Sequence, residues 1–315
     1  MNRFAKYAWG VLLYNIFVVV WGAFVRASKS GAGCGDHWPD CNGQIIPQAP
    51  TIKTIIEFTH RSTSGLAGLL VIGLLVWAFL SFPKRHVVRT GAVISFAFIV
   101  IEGLLGAMLV KWGLVAENNS VARAVVIAIH LANTLILLAA LALTAWWATT
   151  QKESGWPLQW RGNAKSGGVL LGCLLSVMFL CASGAITALG ATLFPVQSMA
   201  EGLARDLSPR HFLESLIWIH PVAAVLLGLT MTFAVTFIGS VRKSSVLAKL
   251  TKIQIGLFIT QLLLGGLNLM LHAPVWMQLL HLFVADLVWV NLVLFTVSVL
   301  TVQKQMKVET AAQER

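Results

Sequence analysis

Two residues near the start of a long apolar segment have the types and the spacing for chemistry on one ligand. Glu57 and His60 are three residues apart in the run Glu57-Phe-Thr-His60-Arg61, which opens a segment extending to about Leu80. On a helix, residues three apart share one face and can reach the same ligand. Ionisable side chains are costly within a membrane, where they usually face a bundle interior, a partner or a cofactor. The spacing predicts a buried carboxylate beside a metal-ligating imidazole. The alternative is that Glu57 lies at the water interface and His60 only hydrogen-bonds to a neighbouring helix.

Three further histidines have positions comparable to that of His60. His130, His220 and His281 each lie roughly one to three turns from the same predicted end of an even-numbered apolar segment, which at about 1.5 Å per residue gives all four one depth. Two imidazoles facing each other across a four-helix core are a usual axial ligand set for haem iron. Zinc is a poorer match, because its sites are small and rich in cysteine, histidine and carboxylate. The sequence therefore predicts two bis-histidine sites, although each histidine alone would be interpreted as a packing residue.

The two predicted sites differ in one residue. Glu57 precedes His60 by three positions, whereas Ile217 precedes His220 by three. A carboxylate in one site only predicts chemistry in the N-terminal half and electron storage or support in the C-terminal half. The sequence leaves open the roles of Glu102, Cys173, Cys181 and Asp286, and it predicts solvated side chains for His86, His211 and His272 at loop edges.

The composition indicates an all-α polytopic membrane protein. Hydrophobic residues make up 57% of the chain and charged residues 11%, with a mean hydropathy of +0.79. These values exclude a water-soluble domain of this length. Eight segments are long enough to cross a bilayer as helices. They are residues 8–27, 54–81, 90–111, 122–148, 167–190, 212–239, 250–271 and 277–302.

The net charge of +11 is distributed by side of the membrane. Lysine and arginine gather at both termini and in alternate connections, as in the groups Arg3/Lys6, Lys84/Arg85/Arg89, Lys152/Arg161/Lys165, Arg242/Lys243/Lys249/Lys252 and Lys304/Lys307/Arg315. By the positive-inside rule both termini are cytoplasmic, and the loops 28–53, 112–121, 191–211 and 272–276 face outward. This predicts a multi-pass protein of a bacterial plasma membrane with its histidine sites toward the outer face, and it argues against nucleic acid as a partner.

An internal repeat relates residues 1–150 to residues 165–305. Four matches in order have offsets of 162, 160, 159 and 151 residues: Gly22 with Gly184, His60 with His220, Glu102 with Gln261, and His130 with His281. Both copies begin on the inner side, so we predict two parallel, pseudo-symmetric four-helix bundles and a cytoplasmic tail at 306–315. Chance alignment of apolar sequence is the alternative.

Two of the four cysteines lie in the first outer loop, residues 28–53. Cys34 and Cys41 are separated by Gly-Asp-His37-Trp-Pro-Asp, and an oxidising outer compartment favours a disulfide between them. The alternatives are two free thiols or a soft-metal site with His37. Cys173 and Cys181 lie within the fifth span and are predicted to be small packing residues.

With these residues placed, the sequence resembles the haem A synthase family (COX15/CtaA) over essentially the whole chain. The most specific parts are the Gly-Cys34-x3-Trp-Pro-x-Cys41-x-Gly loop and the Glu57-x-x-His60-Arg61 helix start. The resemblance implies an oxidoreductase that converts a methyl group of haem O to a formyl group, giving haem A. It also implies haem O synthase, an electron donor and membrane lipid as partners, and it leaves the oligomeric state open.

The resemblance also implies roles for the histidines. His60 and His130 would hold the substrate haem, while His220 and His281 would be the axial ligands of a permanent haem b, so that all four bind iron.

The remaining implied site residues lie near the predicted outer end. Glu57 would be the catalytic carboxylate, able to stabilise positive charge or to move a proton. Arg61 would either pair with a haem propionate or lie at the interface. Cys34 and Cys41 would form a disulfide, whose redox activity is open. Many relatives carry a second cysteine pair in the C-terminal outer loop, but residues 191–211 contain no cysteine.

Two other functions are compatible with parts of this pattern. A dihaem b-type membrane electron-transfer protein needs the four histidines but not Glu57. A transporter agrees with the repeat but needs no haem. Prenyl transfer to haem is disfavoured, because the predicted inner loops have no aspartate-rich motif for diphosphate and magnesium.

Overall fold

The computed structural model describes residues 1–150, 158, 163–242 and 244–313, and this part of the chain is helical, with residues 28–51 as its longest connection. Its helices are α1 Arg3–Ala27, α2 Ile52–Ser81, α3 Val87–Lys111, α4 Val121–Thr150, α5 Ala164–Leu193, α6 Met199–Leu207, α7 Phe212–Leu216, α8 Ile219–Val241, α9 Ser245–Met270 and α10 Val275–Gln313. Within the described residues, eight segments are long and apolar enough to cross a membrane, with α7 and α8 together forming the sixth. The predicted all-α polytopic fold is therefore confirmed.

The first two helices begin before the apolar segments predicted from the sequence, because a polar residue caps each of them. The Asn2 side chain accepts a hydrogen bond from the Ala5 N–H at the start of α1, and Thr51 accepts one from the Thr54 N–H at the start of α2. Such caps satisfy N–H groups that have no partner within the helix. At the other end of the chain, α10 continues to Gln313, so the predicted tail is helical up to that residue, and 314–315 lie outside the described residues.

The sixth span is broken next to His220. α7 ends at Leu216 and α8 begins at Ile219, with a turn between them. Pro221 has no N–H to donate to the Ile217 carbonyl, and the Thr187 hydroxyl of α5 donates to that carbonyl instead, at 3.4 Å. Within a membrane a freed carbonyl needs such a side-chain partner. The break therefore joins the start of α8 to α5.

Four helices form the centre of the molecule. α1, α4, α5 and α10 pack against one another, while α2 and α3 lie outside them in the N-terminal half and α8 and α9 in the C-terminal half. In the membrane-crossing window of α10, 72% of residues are buried, against 6% for α3. The Trp289 indole N–H of α10 donates to the Leu135 carbonyl of α4 and joins the two halves. This arrangement agrees with the predicted repeat, which itself stays a prediction.

One end of the bundle, here called the disulfide end, contains the connections 28–51, 112–120, 194–211 and 271–274. Arg26 of α1 donates to the Thr192 hydroxyl of α5 and to the Gln278 side chain of α10 at this end. Lys29 pairs with Glu117 of the second connection at 3.1 Å. The side of the membrane on which this end lies stays a prediction, and four of the charges on which it rests, Lys152, Arg161, Lys243 and Arg315, lie outside the described residues.

One prediction about loop histidines was wrong. His86 is only 2% exposed: its Nδ1 accepts a hydrogen bond from the Val88 N–H and its ring lies 4.6 Å from that of Phe82. It is buried because it caps α3. His272 is exposed as predicted, and half-buried His211 caps α7.

Candidate functional site

In each half, a histidine ring packs directly against a glycine of that half's first helix. A Cβ atom at Gly22 would lie 2.9 Å from His60 Cε1, and one at Gly184 would lie 2.9 Å from His220 Cε1. Contacts this short do not occur with a real Cβ, so only glycine admits the ring at this depth. Both contacts join positions that the sequence repeat had matched, and they give those matches a physical reason.

The second histidine of each half contacts a polar residue of the neighbouring helix. His130 Nδ1 lies 3.4 Å from an oxygen of Glu102 on α3, and His281 Nε2 lies 3.1 Å from the side-chain nitrogen of Gln261 on α9. Residues 102 and 261 are again a matched pair. The matched residues therefore both contact the second histidine of their half, through Nδ1 of His130 and Nε2 of His281, but the contact is with a carboxylate in the first half and with an amide in the second.

The histidines of the C-terminal half face each other. The ring centres of His220 and His281 are 6.3 Å apart. A metal bonded to one nitrogen of each ring at about 2 Å places the ring centres roughly 6 Å apart, so the spacing fits two axial ligands of one iron. The Ser183 hydroxyl lies 3.2 Å from His220 Nδ1 and orients that ring, as outer contacts of metal-binding histidines do. In the N-terminal half, His60 lies within electrostatic range of His130.

Three of the four imidazoles carry a buried nitrogen with no hydrogen-bond partner in the described part of the chain. These atoms are Nδ1 of His60, His130 and His281. Nδ1 of His130 is the atom that lies 3.4 Å from the Glu102 carboxylate, so the nitrogens with neither a hydrogen bond nor a charged contact are those of His60 and His281. Leaving such an atom unpaired costs about 1–3 kcal/mol, and it often marks the place of an ion or ligand. Among the described residues, no group of three or more His, Cys, Asp or Glu side chains is placed to hold a metal ion. The arrangement is one of pairs, and pairs fit haem, whose iron needs only two ligands from the protein.

Glu57 is buried, and its carboxylate is bonded to groups at the disulfide end. Its side chain is 4% exposed, and one carboxylate oxygen accepts from Arg61 Nη2 at 2.5 Å and from Nε at 3.2 Å. The other oxygen accepts from the backbone N–H of Cys34 at 2.8 Å. Both oxygens are therefore engaged, which the i, i+3 spacing to His60 did not reveal.

Arg61 fixes the first outer loop to α2. Besides Glu57, its guanidinium donates from Nη1 to the backbone carbonyls of His37 and Asp40, both at 2.6 Å. The Thr54 hydroxyl adds a bond to the Gly33 carbonyl at 2.9 Å. The predicted contact of Arg61 with a haem propionate stays a prediction, because these bonds account for the guanidinium within the protein.

The predicted disulfide is present. Cys34 and Cys41 are bonded, with Cα atoms 4.4 Å apart, and both are at most 1% exposed. Cys173 and Cys181 are free thiols, buried and half-buried within α5, as expected for packing residues. The disulfide loop therefore forms a closed cap on the start of α2, above His60.

Sequence reasoning gave too little weight to Glu102. Asn133 Nδ2 and the Thr134 hydroxyl each donate to one of its oxygens at 2.5 Å. Asn133 and Thr134 follow His130 by three and four residues, which is the available sequence signal, since such residues share a helix face. Asp286 is 1% exposed, and neither of its oxygens has a partner in the described part of the chain.

Comparison with known proteins gives one family and several relatives. The family model described as cytochrome oxidase assembly protein (COX15-CtaA) matches residues 5–293. A Thermus thermophilus protein named protoheme IX farnesyltransferase is 51% identical over 300 residues, which are 95% of this chain and 49% of that protein. Proteins named heme A synthase are 41% identical in Geobacillus kaustophilus and 38% in Bacillus mycoides, each over 144 residues, which are 45% of this chain and 43% and 44% of those proteins. The chain thus aligns with half or less of the length of each of these relatives.

Proposed function

Because the chain belongs to the COX15-CtaA family of cytochrome oxidase assembly proteins, we propose that it is a haem A synthase, which oxidises a methyl group of haem O to a formyl group. The observation that carries this proposal is the inequality of two otherwise matching histidine pairs. In the N-terminal half Glu102 contacts His130 and Glu57 precedes His60 by three residues, whereas the matched positions of the C-terminal half hold Gln261 and Ile217. Electron transfer alone does not require that difference.

We assign haem O to His60 and His130, and haem b to His220 and His281. When bound, haem iron supplies the redox chemistry that protein side chains lack. The protein holds the rings in place: glycine gives room for one ring of each pair, and a polar side chain contacts the other. The unpaired buried ring nitrogens of His60 and His281 support this assignment.

Glu57 is our candidate for the catalytic carboxylate. It is buried one turn from His60, and a preorganised negative charge can stabilise positive charge that develops on a nearby substrate carbon. Its pairing with Arg61 and with the Cys34 N–H holds the charge in a fixed place. The same contacts support a purely structural role, in which Glu57 anchors the loop.

We place the protein in a bacterial plasma membrane with both termini cytoplasmic and the disulfide end outside. The distribution of lysine and arginine supports this orientation. The Cys34–Cys41 bond supports it independently, because disulfides persist in oxidising compartments outside the cytosol.

Prenyl transfer, the activity in the name of the Thermus thermophilus relative, is not proposed for this chain. The match covers 49% of that protein, which leaves room there for a second module of similar size. In this chain the aspartates are Asp36, Asp40, Asp206 and Asp286, and none lies in a predicted inner loop. A haem-prenylating enzyme is instead the proposed source of haem O, and a separate electron donor is the other proposed partner.

The test is to purify the protein from cells supplied with haem O, extract the haems and identify them by mass. Haem b together with haem O, its hydroxylated form or haem A is the expected result. Two haem b per chain would favour the dihaem electron-transfer protein instead. Glu57→Ala should retain haem and stop haem A formation, whereas Glu117→Ala, at a carboxylate that is 69% exposed, should not. Normal haem A output from Glu57→Ala would leave Glu57 only its structural role.

A further inference from the structure

We propose that Glu102 is a positioning residue that makes the N-terminal haem iron easier to oxidise than the C-terminal one, through its contact with His130. This inference rests on the proposed assignment of His130 and His281 as axial ligands. The role of Glu102 was left open by the sequence, and the proposal attributes to Glu102, rather than to Glu57, the electronic difference between the two sites.

The carboxylate of Glu102 is held in place by α4. Asn133 donates to Oε2 and Thr134 to Oε1, both at 2.5 Å, and Oε1 lies 3.4 Å from His130 Nδ1. His130, Asn133 and Thr134 occupy one turn of a single helix, so the ring and the two donors meet the same carboxylate. Asn133 is itself fixed by a second bond, to the Phe98 carbonyl at 3.0 Å. The contact is therefore built by several residues.

The C-terminal half lacks each part of this arrangement. Gln261 replaces the carboxylate and contacts the ring of His281 at 3.1 Å. The residues three and four positions after His281 are Val284 and Ala285, which have no side-chain donor to hold a carboxylate. Three residues thus differ together between the halves, in the direction that replaces a charged contact by a neutral one.

A charged contact on the outer nitrogen of a ligating imidazole has a known consequence. It raises the basicity of the ligand, which then donates more electron density to the metal. Hydrogen bonding around the axial ligands is one of the means by which proteins set haem reduction potentials. The site with Glu102 should therefore have the lower midpoint potential. The neutral Gln261 contact suits a haem that stores electrons.

Glu57 does not have this effect in the structure. Its two oxygens bond to Arg61 and to the Cys34 N–H, both toward the disulfide loop. The Arg61 charge next to it also offsets its field at the iron, whereas Glu102 has only neutral donors besides the His130 ring.

The experiment is a reciprocal exchange in the haem-loaded protein, read by spectroelectrochemical titration of both haems. Glu102→Gln should raise the midpoint potential of the N-terminal haem, so that its oxidised-to-reduced ratio at a fixed potential falls about tenfold. Gln261→Glu should lower the potential of the C-terminal haem. Each variant should leave the other haem unchanged, and the haems are assigned by their loss in His130→Ala and His281→Ala. Glu117→Gln, at an exposed carboxylate, is the matched control.

One further variant keeps the test decisive. Glu102→Asp preserves the charge and should restore part of the low potential, which a merely structural role would not do. If Glu102→Gln loses its haem, Gln261→Glu decides the question. Unshifted potentials in Glu102→Gln or, where that variant has lost its haem, in Gln261→Glu would overturn this inference and leave haem A synthesis standing. A purified protein that binds no haem would overturn the proposed function and this inference with it.

Discussion

The imidazole of His60 packs against Gly22 so closely that a methyl group on the glycine would lie 2.9 Å from His60 Cε1. Gly184 and His220 repeat this contact in the other half. The position of each of these rings, which we propose to bind haem, is thus set by a glycine of another helix. The ring is the part that must move if a side chain is added there.

Gly22→Ala should displace the His60 ring and weaken haem binding in the N-terminal half alone. Overpacking of this kind costs about 1–3 kcal/mol, equivalent to roughly fivefold to 150-fold weaker binding. Gly184→Ala should do the same to the C-terminal haem. The matched controls are Gly10→Ala in α1 and Gly172→Ala in α5, where a Cβ meets nothing within 4 Å. Haem content per chain is the measurement, and equal retention in all four variants would contradict the prediction.

Arg61→Ala should destabilise the protein more than Glu57→Gln/Arg61→Ala does. The single change leaves the buried Glu57 carboxylate without its counter-charge, and breaking a buried ion pair in this way costs about 3–5 kcal/mol. The double variant has no unpaired charge and should recover part of that loss in thermal unfolding. Lys29→Ala is the control, because its exposed pair with Glu117 should contribute less than about 1 kcal/mol. Equal stability of the single and double variants would refute this account of the pair.

Replacing both bonded cysteines, as Cys34→Ser/Cys41→Ser, should lower the free energy of unfolding of the loop region by about 2–3 kcal/mol. The estimate follows from the short loop closed by a sequence separation of 7. Hydrogen exchange at the start of α2 is the measurement, since the loop covers that helix end. Cys173→Ser, within α5, is the control. In the unmodified protein, alkylation of Cys34 and Cys41 should require prior reduction, and rapid labelling without a reductant would contradict the prediction.

Hydropathy and residue spacing predicted the eight spans, the disulfide and the match between Gly22 and Gly184. Eight spans follow from composition, because a bilayer requires long apolar helices whatever their packing. The disulfide followed from two cysteines in a predicted outer loop. The pairing of Gly22 with Gly184 was visible as an offset, although its cause, a ring on each glycine, was not.

The contacts of Glu57 and Arg61 could not be predicted in the same way. Arg61 bonds to the backbone carbonyls of His37 and Asp40, and Glu57 accepts from the Cys34 N–H. Backbone groups have no sequence signature, so the sequence could not show that this loop provides hydrogen-bond partners for Glu57 and Arg61. The spacing placed Glu57 on the face of His60, but the folded loop determined where its oxygens bond.

The contact between Glu102 and His130 depends on how α3 and α4 cross. Each residue was visible in sequence, and Asn133 and Thr134 follow His130 at helical spacing. The sequence of one helix does not indicate which face of its neighbour it meets. The contact between Glu102 and His130 could therefore be identified only in the folded structure. The same limit explains His86, whose burial comes from capping α3.

A last pair of substitutions should show that the helices pack more closely at Gly228 than at its counterpart in the N-terminal half. Gly228 of α8 contacts the ring of Phe258 on α9 so closely that a Cβ would overlap the ring. Its counterpart by the His60 to His220 offset is Gly68 of α2, where a Cβ meets nothing within 4 Å. Gly228→Ala must therefore displace an aromatic ring from the core, at a cost of about 1–3 kcal/mol. Gly68→Ala should be neutral or slightly stabilising, because alanine is the better helix former. Thermal unfolding in detergent measures both. If Gly68→Ala proved the more damaging of the two, the space beside Gly68 would have to be filled by a ligand or lipid that the substitution displaces, and haem content would then be measured in the same samples.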